Sequence, residues 1–569
     1  MQKILILVHM MILHKFILQE WEIWHQYTSF FVDDSIDMEA AGRSLVSSGA
    51  VRCARVVGGA FFWAEDDETR RAVPHIEARG DGLGELDMRT VPQMNAFALE
   101  GLYQSAWFEA SETKLLSSDV VAPASYVRGH VGLCRIQGEG FMLDVYPVLK
   151  VYSTGVVQVA FRMIAPEEQE FSVEDFVHGP RNLARQELVN VQIPESLLKA
   201  NAQSEANCNK TAKLKRRTRK KLASSIPKFI EQHAVEVDTG SFAFRLAPLF
   251  SKGLSIAMSK EGQVAFRPAP PLQAGFSLNE LSETILTATS YALGRAKTPK
   301  KPCSPLKRGG YWRGKPNIYI TKHTEQQELA KDNQDMHGRA FGDIMSGVIC
   351  DSERQARSFL PESSRSFSDF GWYIAQEAVL IVWAASGLKM LEARKNVNRG
   401  HLVYEQHAVS EILDYGYALH RKALELAGRT ETPEEAYKAQ EALIGLKQTL
   451  QHASPYGEIQ HLLRTGWDNA GVDSVYDMVT ETLRIRGQRS VERQHRTTTS
   501  WTHLVTTTLG VLAALGISGQ VVKPLWTLLK WPLCRSNAAQ ALIYVGISAC
   551  LTLLILGGLR VWHRFRSRS

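Results

Sequence analysis

Two uncharged stretches near the C-terminus constrain this chain more than any other feature. From Thr497 to Val522 there is no Lys, Arg, Asp or Glu, and Leu504 to Val522 holds 11 apolar residues of 19, with three glycines. Ala538 to Leu559 holds 16 apolar residues of 22 and is bounded by Arg535 and Arg560. A helix rises about 1.5 Å per residue and a hydrocarbon core is ~30 Å thick, so both stretches meet the length requirement for a span. Thr506, Thr507 and Thr508 interrupt the first, but a helical threonine can return its hydroxyl to its own backbone. The short connection Lys523–Arg535 predicts an antiparallel helix pair, with Trp526 and Trp531 in the interfacial belt. Nine arginines flank the pair (Arg484, Arg486, Arg489, Arg493 and Arg496 before it; Arg560, Arg564, Arg566 and Arg568 after it), against Lys523, Lys530 and Arg535 in the loop. That asymmetry predicts a multi-pass inner-membrane protein with both termini cytoplasmic. Its transmembrane helices are expected at 501–522 and 538–559, the external loop at 523–535, and a basic tail at 560–569 whose Arg564 and Arg566 contact anionic membrane lipid.

The other end of the chain breaks in composition. Residues 1–37 contain no Ala, Gly, Arg or Pro, whereas the chain after them is rich in all four. The apolar run Ile4–Leu18 follows Lys3 but lacks a small-residue cleavage site, and His9, His14 and Lys15 interrupt it. Two readings stand open: a mis-called extension with the native start at Met38, or an uncleaved amphipathic anchor. The seven cysteines form no CxxC pair, which argues against a zinc ribbon or a disulfide framework and for a reduced compartment.

Between these ends, residues 38–200 read as an α/β domain. Its clearest element is a hairpin, Phe141–Tyr152 and Val156–Ile164, turning at Ser153-Thr154-Gly155, with Pro147 marking an edge or a bulge. A basic linker at 201–225 carries Lys213, Lys215, Arg216, Arg217 and Arg219 among eight positive charges within twelve residues. It reads as a solvated linker or a contact for anionic lipid. No aromatic side chain interleaves the charges, which disfavours nucleic acid. A second α/β region spans 226–345, with a Pro/Lys-rich linker at 297–308, a strand at Asn317–Ile320 and a helix at Glu325–Ile344. There Gln263-Val264-Ala265-Phe266-Arg267 repeats Gln158-Val159-Ala160-Phe161-Arg162, each copy closing a predicted hairpin.

Residues 369–470 are expected to form a helical bundle, from an apolar core helix at Ile374–Leu391 and amphipathic helices at Leu402–Ala427 and Glu434–His452. A stalk helix at 471–500 starts near Val472, with Val475, Met478, Thr482 and Ile485 as a thin coiled-coil seam. Only Gly487 weakens it, so the spacing predicts one helix running on into the first membrane segment and able to pass motion to it from a sensing domain.

No catalytic motif, metal set or cofactor motif stands out. Gly80-Asp81-Gly82-Leu83-Gly84 lacks the Lys of a phosphate loop and reads as a surface turn. His407 and Glu411 share a helix face but have no third ligand, and read as a solvated pair. His503, Thr506, Thr507, Gly510 and Ala514 give the first apolar stretch a small, polar face, suited to close helix packing or to a pore.

This order of elements resembles the CorA-type magnesium transporter family: an α/β domain, antiparallel helices, a long stalk, two spans and the basic tail Arg560–Arg568. The resemblance implies a homo-oligomer, pentameric in that family, with a pore lined by Trp501–Val522. The family's Gly-Met-Asn signature is absent; the position reads Gly516-Ile517-Ser518-Gly519-Gln520, so magnesium selectivity does not follow. The expected fold class is an α+β cytoplasmic domain followed by an α-helical bundle and stalk and a two-helix transmembrane hairpin. Two functions are compatible with it: a homo-oligomeric ion channel or transporter regulated by a divalent cation or a small cytoplasmic ligand, or a membrane-tethered sensor or interaction protein without transport.

Overall fold

The computed structural model describes residues 16–197, 254–297, 305–429 and 454–528, except for 32–35, 66–67, 79–83, 88–89, 116–124, 139–140, 167–168, 187, 189, 195, 259–262, 269–276, 307, 366–367 and 394–398. The strands are β1 (Ile17–Phe31), β2 (Cys53–Val56), β3 (Phe61–Glu65), β4 (Glu68–Ala72), β5 (Ile76–Ala78), β6 (Gly84–Leu86), β7 (Tyr126–His130), β8 (Cys134–Gly138) and β9 (Phe141–Tyr152). They continue with β10 (Val156–Ile164), β11 (Phe171–Ser172), β12 (Asn190–Pro194), β13 (Leu254–Met258), β14 (Gln263–Pro268), β15 (Arg308–His323), β16 (Phe370–Ile374) and β17 (Val379–Trp383). The helices are α1 (Met38–Ser47), α2 (Ala96–Leu115), α3 (Val173–His178), α4 (Leu278–Lys297) and α5 (Ala330–Ser346), then α6 (Glu353–Ser358), α7 (Ala385–Glu392), α8 (Arg399–Ala427), α9 (Gly457–Asn469) and α10 (Val472–Leu528).

The predicted hairpin is β9–β10, with the expected bounds and with Gly155 at φ 84°, a conformation that favours glycine. It belongs to a 15-stranded sheet whose main path runs β13-β14-β12-β8-β9-β10-β1-β15-β17-β16, with β7, β2, β3 and β4 branching from β9. Every pairing is antiparallel except β15 with β17, so the sheet is mixed. The second Gln-Val-Ala-Phe-Arg copy lies in β14 and also closes a hairpin, β13–β14.

Residues 17–31, which composition sets apart from the rest, supply β1 at the middle of the sheet. It pairs with β10 from Glu22 to Phe30 and with β15 from Leu18 to Phe31. Alternation sends Trp21, Ile23, Tyr27 and Phe31 into a large apolar core, where α1, α3, α4 and α5 cover the sheet. Glu22, Trp24, Gln26 and Thr28 point to the other face, beneath α2 and α8.

Three expectations are corrected. Among the described residues no helix is long and apolar enough to cross a membrane, which overturns the transmembrane hairpin in the expected fold class and the membrane and two-span assignments with it. The stalk does run unbroken from Val472 to Leu528, through Gly487. Its threonines, glycines, Ser518 and Gln520 dilute the apolar residues of 504–522. The Thr507 hydroxyl donates to His503 O at 2.6 Å, as a helical threonine was expected to do. Ala538–Leu559, the tail with Arg564 and Arg566, the basic linker with Lys213 to Arg219, and the helix expected at 434–452 lie outside the described residues.

Secondly, residues 369–470 are not a helical bundle. Phe370–Ile374 and Val379–Trp383 are strands, and α8 packs on the sheet. Val379-Leu380-Ile381-Val382-Trp383 is β-branched or aromatic at four of five positions and buried throughout, so it suits a covered strand better than a helix. Thirdly, His407 and Glu411 do not face solvent: both are buried, at 0% and 2% exposure.

Candidate functional site

The face of the sheet beneath α2 and α8 is polar, and cross-strand register shows how. Arg55 lies opposite Arg128, Arg128 opposite Lys150, Lys150 opposite Gln158, and Gln158 opposite Thr28. Three cations thus stand side by side on β2, β7 and β9. Like charges in directly opposed positions repel, so the row needs anions, and the helices bring them. Glu109 of α2 meets Arg55 at 3.2 Å. Glu411 of α8 takes Arg128 in a two-pronged contact, with Nη1 donating to Oε1 at 3.0 Å and Nη2 to Oε2 at 2.5 Å. Lys150 donates to Glu411 Oε2 at 2.9 Å and to Glu112 of α2. The backbone carbonyl of Glu411 also accepts from Gln158 Nε2 at 2.8 Å.

Aromatic rings wall this centre. The Arg128 guanidinium lies 3.7 Å from the Phe108 centroid, and Lys150 Nζ lies 4.2 Å from that of Tyr126. A second pair adjoins it: Arg162 Nε donates to Glu22 at 2.7 Å, and the Trp24 indole donates to the same carboxylate at 2.6 Å. His407 stacks on Trp24 at 4.0 Å, and its Nδ1 is 3.0 Å from the Tyr319 hydroxyl.

Burial works to raise the Glu411 carboxyl, but Arg128 foremost, then Lys150 and His407, override it and hold the group down at about 2. Burial takes the His407 imidazole down to about 3 despite Glu411, so it stays neutral. The Tyr126, Tyr152 and Tyr319 hydroxyls are pushed far up, chiefly by burial. Glu411 is committed to two cations and Glu22 to one, so the centre acts as an electrostatic mount that fastens α2 and α8 to the sheet. No group of three His, Cys, Asp or Glu among the described residues could hold a metal ion.

A shallow pocket opens beside the mount, lined by Phe97, Glu100, Gln104, His130 and Tyr146. On its floor His130 Nε2 is 3.0 Å from Ser105 Oγ. Burial lowers the His130 imidazole to about 3 and raises the Cys53 thiol beside it to about 12, so the thiol keeps its proton and is a poor nucleophile. Comparison with known protein families, curated proteins and solved structures finds no match to this chain. Its chemistry has to be read from its own residues.

What the mount carries follows from α8. Gly466 of α9 and Gly416 of α8 let those helices close in: a Cβ on Gly466 would stand 2.5 Å from Leu413, and one on Gly416 2.7 Å from Trp467. The Trp467 indole then donates to Leu413 O at 3.0 Å. α9 leads through Gly471, at φ 71°, into α10, where Val472, Val475, Val479 and Leu483 are buried. Leu483 is the last residue of the first of two compact units, and Arg484 onward belongs to the second, together with Thr430–Tyr437. Beyond it Arg484, Arg486, Arg489, Arg493 and Arg496 are all exposed, with Glu492 the one acid among them. His503 and Thr506 are exposed and Thr507 half-buried; Gly510 and Ala514 lie farther along the same helix, where side chains are outside the description. The sequence marked α10 and its arginines but missed the ionic mount, whose members come from seven elements far apart in the chain.

Proposed function

We propose that this is an interaction protein, whose sheet and ionic mount hold α8, α9 and the first turns of α10, and whose exposed basic helix takes an acidic protein partner. One observation carries the reading: five exposed arginines against one glutamate on a continuous helix from Arg484 to Arg496. Ile485 and Val491, at 37% and 49% exposure, add apolar contact area beside them. Basic helices with apolar residues bind acidic grooves, with charge setting the encounter rate and the register.

A second copy of the chain is the other reading. Met478, Thr482 and Ile485 form a strip at three- and four-residue spacing, with Met478 45% exposed. The facing arginines oppose parallel self-pairing.

A fluorescent poly-glutamate peptide tests the first reading on the full chain. It should bind in low salt, weaken as salt rises, and lose at least tenfold in affinity when the five arginines become glutamine. Equal affinity for the variant would sink the reading. Tighter binding of a random oligonucleotide would transfer the helix to nucleic acid. Light scattering that gives a stable dimer in high salt would favour self-association.

A further inference from the structure

Near the mount, the same face of the sheet contains two charges left without a direct partner. Asp414, one turn beyond Ser410 on α8, and Lys315 on β15 are 2% and 5% exposed. Among the described residues neither makes a hydrogen bond or an ion pair. The polar groups around Lys315 are poorly satisfied too. Gln26 stands opposite Lys315 in the β1–β15 register, and its Nε2 has no partner; Asn317 donates to Gln26 Oε1 at 3.2 Å but its own Oδ1 is unbonded. The Thr28 hydroxyl, two residues along the same face of β1, is also unbonded. This is an unusual concentration of unmet polar groups in a buried interface, where each costs free energy.

We propose that Asp414 and Lys315 form a proton switch in the α8–sheet interface, which holds α8 more tightly in mildly acidic medium than in mildly alkaline medium. It is independent of the partner proposed for α10. The charged and titratable groups that act on Asp414 come from two elements: Lys315 and Tyr319 on β15, and Glu411 on α8 itself. The other charged groups buried on this face are Glu22 on β1, Arg162 on β10, Arg128 on β7, Lys150 on β9 and Glu112 on α2, with His407 on α8. Arg128 and Lys150 are already claimed by Glu411, and Arg162 by Glu22, which leaves Lys315 as the cation available to Asp414.

Burial pushes the Asp414 carboxyl up to about 7; Lys315 opposes the rise and Glu411 adds to it. Burial also lowers the Lys315 ammonium, against the pull of Asp414. For Asp414 the closed interface binds a proton that the opened one has already released. The closed state therefore loses ground as pH rises from about 4 to about 7, and the penalty is complete above that.

Hydrogen exchange of the α8 amides from Ser410 to Ala418 tests this, corrected for the intrinsic rate, at pH 6 and pH 8. His407 contributes an opposite trend at the acidic end, so the readout is wild type compared with Asp414→Asn. Removing the carboxyl should abolish about a tenfold loss of protection between the two values. The Asp414 carboxyl carbon should titrate near neutrality by NMR in the unsubstituted protein, a measurement that needs no variant to fold. Lys315→Met should move that midpoint upward. A carboxyl titrating below pH 5, or equal pH slopes in wild type and Asp414→Asn, would overturn the proposal.

Discussion

Glu411 is the residue on which the mount turns, because Arg128 and Lys150 both close on it. Glu411→Gln keeps its shape and removes its charge, leaving two buried cations to share Glu112. Breaking a buried pair from one side costs about 3–5 kcal/mol. Urea unfolding should show that loss as a lower midpoint with an unchanged slope; a loss under about 1 kcal/mol would mean that water already reaches the centre. Adding Lys150→Met should recover part of the loss. The sequence showed that His407 and Glu411 share a helix face, but not that the face points inward. In an amphipathic helix a polar pair normally marks the wet side. Here Gln406 to Gly416 is buried all round, between the sheet and α9, so α8 has no wet side over three turns. The available signal was the apolar flank of the pair, Ala408, Val409, Ile412 and Leu413.

At the scale of elements, legibility followed hydrophobic pattern. β9 and β10 were readable because two β-rich runs flank a turn with a glycine, and α8 and the start of α10 because apolar residues recur at helical spacing. β1 was not, because it is buried on both faces and carries Glu22, His25, Gln26 and Thr28 inside, which erases simple alternation. β17 failed for the opposite reason: an apolar run without a polar face has no period to read. The consequence for β1 is testable. Trp21, Ile23, Trp24, Tyr27 and Phe31 are each at most 2% exposed, and burying such side chains contributes about 1.5–3 kcal/mol apiece. Their sum is of the order of a whole domain's stability. A chain beginning at Met38 should therefore fail to fold, leaving β10 and β15 without their shared neighbour. Circular dichroism and limited proteolysis would read this, and a cooperative unfolding transition in the shortened chain would refute it.

Over the whole molecule, acid is the condition to which this architecture is most exposed. His25, His130 and His407 are buried, and burial foremost holds them down to about 4, about 3 and about 3. Each has its hydrogen bond as a neutral ring; His25 Nε2, for instance, donates to Pro180 O at 2.8 Å. Their unfolded value is about 6.5. Between that and about 4 these three rings alone let the unfolded chain bind up to three more protons than the folded one, so stability is present above the unfolded value and drains away as pH falls. The slope approaches about 4 kcal/mol per pH unit. A domain with ordinary stability loses everything within two or three such units. Asp414 runs the other way, since its raised carboxyl favours the folded state more as pH falls toward 4, yet one group offsets only about a third of that slope. Stability measured by urea unfolding should therefore peak near neutrality and collapse before pH 4. Because the three histidines lie on β1, β7 and α8, the collapse should be a single transition by fluorescence and circular dichroism together. A profile flat down to pH 4.5 would mean that these rings are hydrated, and that the two faces of the sheet are not sealed as their burial implies.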